Sequence, residues 1–118
     1  MSDFQELKVW QKARSLAVSV YEVTRSFPRS EIFGLTQQMR RSSISIVSNI
    51  AEGRGRYSRA ESISFLIIAR GSTLELEAQI IVSHDLEYIE KERARALVKR
   101  CIEIARMING MIRYFRRQ

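Results

Sequence analysis

Few residues in this chain have the types and spacing to do covalent or metal chemistry. The single histidine, His84, is followed by Asp85, but adjacent side chains on a helix diverge, so the two do not face each other as a base and its orienting carboxylate. No second histidine and no Cys-x-x-Cys exists to complete a metal site, which takes three or four such ligands. Cys101, the only cysteine, falls on an apolar stripe with no basic residue placed to activate it, and so reads as a small hydrophobe. Glu75 and Glu77 interrupt an apolar run, and Glu52 ends another. Bundle carboxylates can hold two metals, but that site type uses Glu-x-x-His pairs, and the chain has none. A buried glutamate needs a cationic or hydrogen-bonding partner instead, and Arg40, Arg41 and Arg70 are the expected ones, across an interface. The expectation is a non-enzymatic protein with no catalytic residue, metal or cofactor.

The most distinctive local stretch is Asn49-Ile50-Ala51-Glu52-Gly53-Arg54-Gly55-Arg56-Tyr57-Ser58. It lacks the Gly-Lys-Ser/Thr and the preceding strand of a phosphate-cradling loop. Two readings fit it. Arg54, Arg56 and Arg59 around a turn carrying Tyr57 suit phosphate pairing with base stacking. The same residues also describe a glycine helix stop followed by a cap, dressed in solvated arginines. The cap stands under both, because Ser58-Arg59-Ala60-Glu61 is a capping-box pattern. Arg113, Arg116 and Arg117 crowd the C-terminus, where cations offset the negative end of a helix dipole without any ligand.

These residues need elements to position them, and the periodicity supplies four helices. The first covers about 3–27: Val9, Ala13, Leu16, Val20, Val23 and Phe27 recur at three- and four-residue steps opposite Lys8, Lys12 and Ser15. Pro28 ends it, and Ser30 with Glu31 is expected to cap the next. The second runs over about 31–52 on Leu35, Met39, Ser42/Ser43, Ile46 and Ile50, with Ile44 off the stripe and Gly53 as its stop. The third, about 58–86, is apolar on every side: Phe65 to Ala69 are consecutive, and Leu74, Leu76, Ala78, Ile80, Ile81 and Val82 follow. In a bundle of this size each helix keeps one wet face, so the surplus predicts burial against another subunit. The fourth, about 90–115, has a clear stripe of Ala94, Leu97, Cys101, Ile104 and Ile108. Short connections make neighbours antiparallel, so residues 1–118 are expected to form one all-α, up-down-up-down four-helix bundle.

Composition agrees with this and narrows the function classes. The chain has 118 residues, 45% hydrophobic and 28% charged, with one proline, which suits a single globular domain and excludes disorder. No apolar run is long enough for a membrane span. Met1 to Trp10 has no signal pattern, and a lone cysteine permits no internal disulfide, so the expected location is cytoplasmic. Twenty basic against thirteen acidic residues give +7, a balance that favours polyanions and also serves solubility.

Several motifs in order carry a resemblance. Leu7-x-Val9-Trp10-x-x-Ala13 is followed by Tyr21-x-x-Thr24-x-x-Phe27-Pro28-x-x-Glu31-x-Phe33-Gly34-Leu35. Then come Gln38-Met39-Arg40-Arg41-Ser42-x-x-Ser45-Ile46-x-x-Asn49-Ile50-Ala51-Glu52-Gly53-x-Gly55-Arg56 and Phe65-Leu66-x-Ile68-Ala69-x-Gly71-Ser72-x-x-Glu75-Leu76-Glu77. The chain resembles the four-helix bundle proteins encoded within intervening sequences of bacterial 23S ribosomal RNA genes, and the fourth helix matches them by pattern more than by identity. The resemblance implies a homopentamer. That family is similar in turn to the accessory variability proteins of diversity-generating retroelements, basic pentamers that bind RNA and work with a reverse transcriptase. The resemblance brings no catalytic residue with it.

Two functions follow as expectations. One is a homo-oligomer that binds RNA or DNA through Arg40, Arg41, Arg54, Arg56 and Arg59, with Lys8, Lys12, Arg113, Arg116 and Arg117 as a second set. The other is a structural or protein-interaction scaffold, an accessory subunit with no nucleic-acid ligand and a protein partner such as a reverse transcriptase. Ile44, Phe65, Ile68, Ser72 and Glu75 are the expected subunit-interface residues in either case.

Overall fold

The structure, a computed structural model, describes residues 3–56 and 58–118. Four α-helices follow in order, α1 (Lys8–Thr24), α2 (Leu35–Arg54), α3 (Arg59–Asp85) and α4 (Lys91–Arg116), with 3-10 turns at Asp3–Glu6 and Arg29–Glu31 and no strand among the described residues. Helix α2 packs on α1 and α3, and α4 packs on α3 and α1. Each helix therefore occupies one corner of an antiparallel bundle measuring 46 × 22 × 21 Å. The core is built from the expected stripes, with Leu16, Met39, Ile46, Leu76, Leu97 and Ile104 among its fully buried members.

The helix starts and stops differ from the sequence expectations in instructive ways. Helix α1 begins at Lys8, after a separate 3-10 turn, and ends at Thr24, whose hydroxyl donates to the Val20 carbonyl at 2.7 Å. Ser30 does not cap α2; it lies in the second 3-10 turn, and the helix starts at Leu35. Glu31 does the capping from outside, its Oε1 accepting the Leu35 amide at 3.1 Å. Its Oε2 accepts the Tyr88 hydroxyl at 2.9 Å, so one carboxylate closes a helix start and ties it to the distant α3–α4 connection. A Cβ at position 34 would lie 2.5 Å from Glu31 Oε1, so a larger residue there would displace the carboxylate from this cap.

Gly53 is not the stop. It is buried inside α2, and a Cβ on it would meet the Ser62 carbonyl at 3.2 Å and Leu66 Cγ at 3.3 Å. The residue lets α2 and α3 approach closely, and Gly55 ends the helix two residues later. The α3 cap forms as expected, with Ser58 Oγ accepting the Glu61 amide at 3.1 Å. At the far end of α3, Glu87 adopts φ 66, and the Tyr88 amide donates back to the Ser83 carbonyl at 2.9 Å, the 6→1 bond of a Schellman stop. His84 Nδ1 donates to the Ile89 carbonyl at 2.9 Å, holding the same connection. The lone histidine thus secures a turn.

Cys101 is fully buried, and burial, reinforced by the charge of Glu77, pushes its thiol up to about 12 from an ordinary 9.0. The Tyr88 hydroxyl is also raised, because ionisation would break its bond to Glu31. Both acids are held neutral by the fold. Their contribution is therefore intact below the ordinary values and is lost as pH rises through and beyond them. Cys101 is expected to resist alkylation by iodoacetamide at neutral pH and to react on denaturation, followed by mass spectrometry; prompt labelling of the native protein would contradict this burial.

Candidate nucleic-acid interface and subunit face

The antiparallel topology gathers most of the nominated cations at one end of the bundle. The N-terminus of α1, the C-terminus of α2, the N-terminus of α3 and the C-terminus of α4 meet there. Arg54 donates to Asp3 through Nε at 3.0 Å, and Arg59 and Arg116 border one surface hollow with Phe115. Many of these cations already have partners. Arg54 pairs with Asp3, Lys12 pairs with Glu103 at 3.2 Å, and Arg56 pairs with Glu52, while the Arg56 guanidinium lies 4.6 Å from the Phe65 ring centre. All three pairs are solvent-exposed, and such pairs contribute at most about 1 kcal/mol, so a phosphate could displace them at a cost. The stacking role expected of Tyr57 lies outside the described residues.

Arg40 belongs to the bundle itself. Its Nε donates to Thr24 Oγ1 at 2.9 Å, and its guanidinium covers the Tyr21 ring at 4.6 Å, tying α2 to α1. Arg70 donates to Asn109 Oδ1 at 2.9 Å. Neither meets a glutamate, and Glu75 is exposed, so the expected arginine pairing of buried glutamates does not form within the chain. Arg41 borders a polar groove between α2 and α3 with Gln38, Ser45, Ser72, Glu75 and Gln79. The Gln79 carbonyl oxygen is buried there without a partner.

The element that carries the excess charge is α4. Residues 91–117 hold nine Lys and Arg against two Asp and Glu, a net +7. This equals the net charge of the whole chain, so everything before residue 91 is neutral in sum. Arg95, Lys99, Arg106, Arg113 and Arg117 are all exposed and follow at steps of four and seven residues, which places them on one outward line. None of the five forms an ion pair among the described residues. Sequence reading named only Arg113 and Arg117 of these. The signal for the others is the charge counted per helix. Beside the ridge, Ile81, Ala94, Val98 and Ile102 floor a groove of about 860 Å³ between α3 and α4.

Helix α3 supplies the second surface. Its inward stripe buries Leu66, Leu76 and Ile80, while Ile67, Ile68, Leu74, Ile81 and Val82 remain exposed. The outward face therefore holds more large aliphatic side chains than the buried one, an exposed apolar patch of the kind that marks an interaction surface. Gly71 sits in the middle of it, and a Cβ added there would touch nothing within 4 Å. Of the expected interface residues, Ile68, Glu75 and Ile44 are exposed, with Ile44 bordering a hollow beside Tyr21 and Ile32. Ser72 turns inward, its hydroxyl 2.7 Å from that of Ser45, and Phe65 is half-buried beneath Arg56. Both are engaged within the chain. No helix among the described residues is long and apolar enough to cross a membrane, and no group of three or more candidate ligands there could hold a metal ion.

Comparison with known proteins agrees with this architecture. The profile of the 23S rRNA-intervening sequence proteins matches residues 5–110. A crystal structure of a protein of unknown function from the S23 ribosomal protein family of Bacteroides thetaiotaomicron superposes with a TM-score of 0.80 at 28% identity, over 88% of this chain and 97% of that one. Among curated proteins no relative matches. With the profile spanning nearly its whole length and a family structure sharing its four helices, the chain belongs to the 23S rRNA-intervening sequence protein family.

Proposed function

We propose that this protein is a non-enzymatic homo-oligomer that binds nucleic acid, joining subunits through the outward face of α3 and holding phosphates along α4. One observation carries the binding half: the whole net charge of +7 lies within residues 91–117, and the five cations of its outward row form no ion pair among the described residues. Lys and Arg that neutralise phosphates release condensed counterions, and this drives binding without regard to sequence. The arginines at the α2–α3 end, with Arg116, extend the same charge around one end of the bundle. Self-association is supported by the exposed aliphatic face of α3 and by the open space over Gly71. The resemblance described above favours five subunits. A ring would repeat each ridge, adding avidity without new contacts.

Fluorescence anisotropy with a labelled RNA hairpin, titrated across a salt series, tests this reading. Five phosphate contacts per protomer should give a log–log slope of about −4.5. Absence of binding even at low salt would remove the nucleic-acid function and leave the scaffold reading, for which the apolar floor between α3 and α4 is the favouring feature. Light scattering that reports a monomer would remove the assembly.

A further inference from the structure

We infer that the ligand of the α4 ridge is a double helix, held by its phosphodiester backbone. The inference rests on the nucleic-acid reading above and deepens it. Arg95 to Arg117 spans 22 residues, about 33 Å of helix, close to the 34–36 Å of one duplex turn. The helix that carries the row is fastened to the bundle on two sides. Arg100 fastens α4 to α1 by donating to Ser19 Oγ at 2.9 Å and Ser15 Oγ at 3.1 Å, and Asn109 fastens it to α3 through Arg70. A fixed line of cations matches a stiff polyanion, whereas a flexible strand must lose conformational freedom to follow it.

The composition of the ridge points the same way. Proteins that hold single strands set aromatic side chains along the track so that successive bases can stack. Here the positions between the cations carry Ile102, Glu103 and Gly110, and no aromatic residue occurs in α4 before Tyr114. Tyr114 and Phe115 pack edge-on against each other, ring centres 5.5 Å apart, at the far end of the helix. Asn109 lies between Arg106 and Arg113 but is taken up by Arg70, so no free Asn or Gln stands between the cations to read adenine. Exposed Arg and Lys spread along about one duplex turn contact successive phosphates, which positions a duplex without specifying its sequence.

The intact oligomer would be titrated in anisotropy against four labelled probes of roughly 20 nucleotides per strand, two helical turns where paired: duplex DNA, duplex RNA, oligo(dT) and oligo(A). At least one duplex is expected to bind about tenfold or more tightly than either single strand at matched phosphate concentration and salt. The DNA and RNA arms identify which duplex the ridge fits. R95Q/K99Q/R106Q should make the salt slope on the preferred duplex shallower by about 2.7, with an unchanged circular-dichroism melt. Single strands binding as tightly as the duplexes, or a slope unmoved in the triple variant, would overturn the inference while leaving nucleic-acid binding in place. Failure of all four probes at low salt would instead overturn the underlying reading.

Discussion

Truncating Leu76 to alanine is expected to destabilise each subunit by about 2–5 kcal/mol, while the same change at Leu74, two residues away, leaves subunit stability within about 0.5 kcal/mol. The two side chains point to opposite faces of α3. Leu76 is 0% exposed in the core and Leu74 is 58% exposed on the outward face. Removing Leu76 leaves a cavity among close-packed neighbours, and a loss of about 3 kcal/mol lowers Tm by roughly 10 °C in a domain of this size. In the proposed assembly Leu74 meets a neighbouring subunit, so L74E should place an unpaired carboxylate in that interface and yield folded monomers. Thermal melts at several protein concentrations, with light scattering, separate the two effects. The Leu76→Ala shift should persist at every concentration, and the Leu74 effect should appear only where subunits associate. An L74E protein that keeps its oligomeric mass would exclude α3 as the subunit face.

The second large effect contrasts two groups of three cations. R95Q/K99Q/R106Q should weaken nucleic-acid binding about 10²–10³-fold at roughly 0.1 M salt, since each lost phosphate contact removes close to one unit of log–log slope. R54Q/R56Q/R59Q removes the same formal charge and should cost markedly less. Arg54 and Arg56 already face Asp3 and Glu52, so a phosphate gains from them only after breaking an ion pair, whereas Arg95, Lys99 and Arg106 form none among the described residues. Equal losses in the two variants, measured by anisotropy on one probe, would return the glycine–arginine turn to the centre of the site.

The local sequence determined a good deal by itself. Four helices, the Ser58–Glu61 cap and the apolar surplus of α3 are each encoded within three or four residues, the distance over which helix neighbours and caps act. That is why the all-helical architecture and the existence of an unpartnered α3 face were legible without coordinates. The net charge was legible too, and so was its concentration after residue 90, had it been counted helix by helix.

Only the tertiary structure decided which of these residues are free. Glu31 caps α2 because Tyr88, 57 positions away, holds its other oxygen, and Gly53 lies within a helix because α3 crosses close beside it. Arg40 is engaged by Thr24 and Tyr21, and Ser72 by Ser45, while Arg95, Lys99 and Arg106 form no ion pair among the described residues. Local periodicity assigns a side chain to one face of its own helix. It does not say what the opposite helix places before that face, and for this protein that placement separates the cations that hold the bundle together from those left without a partner in it.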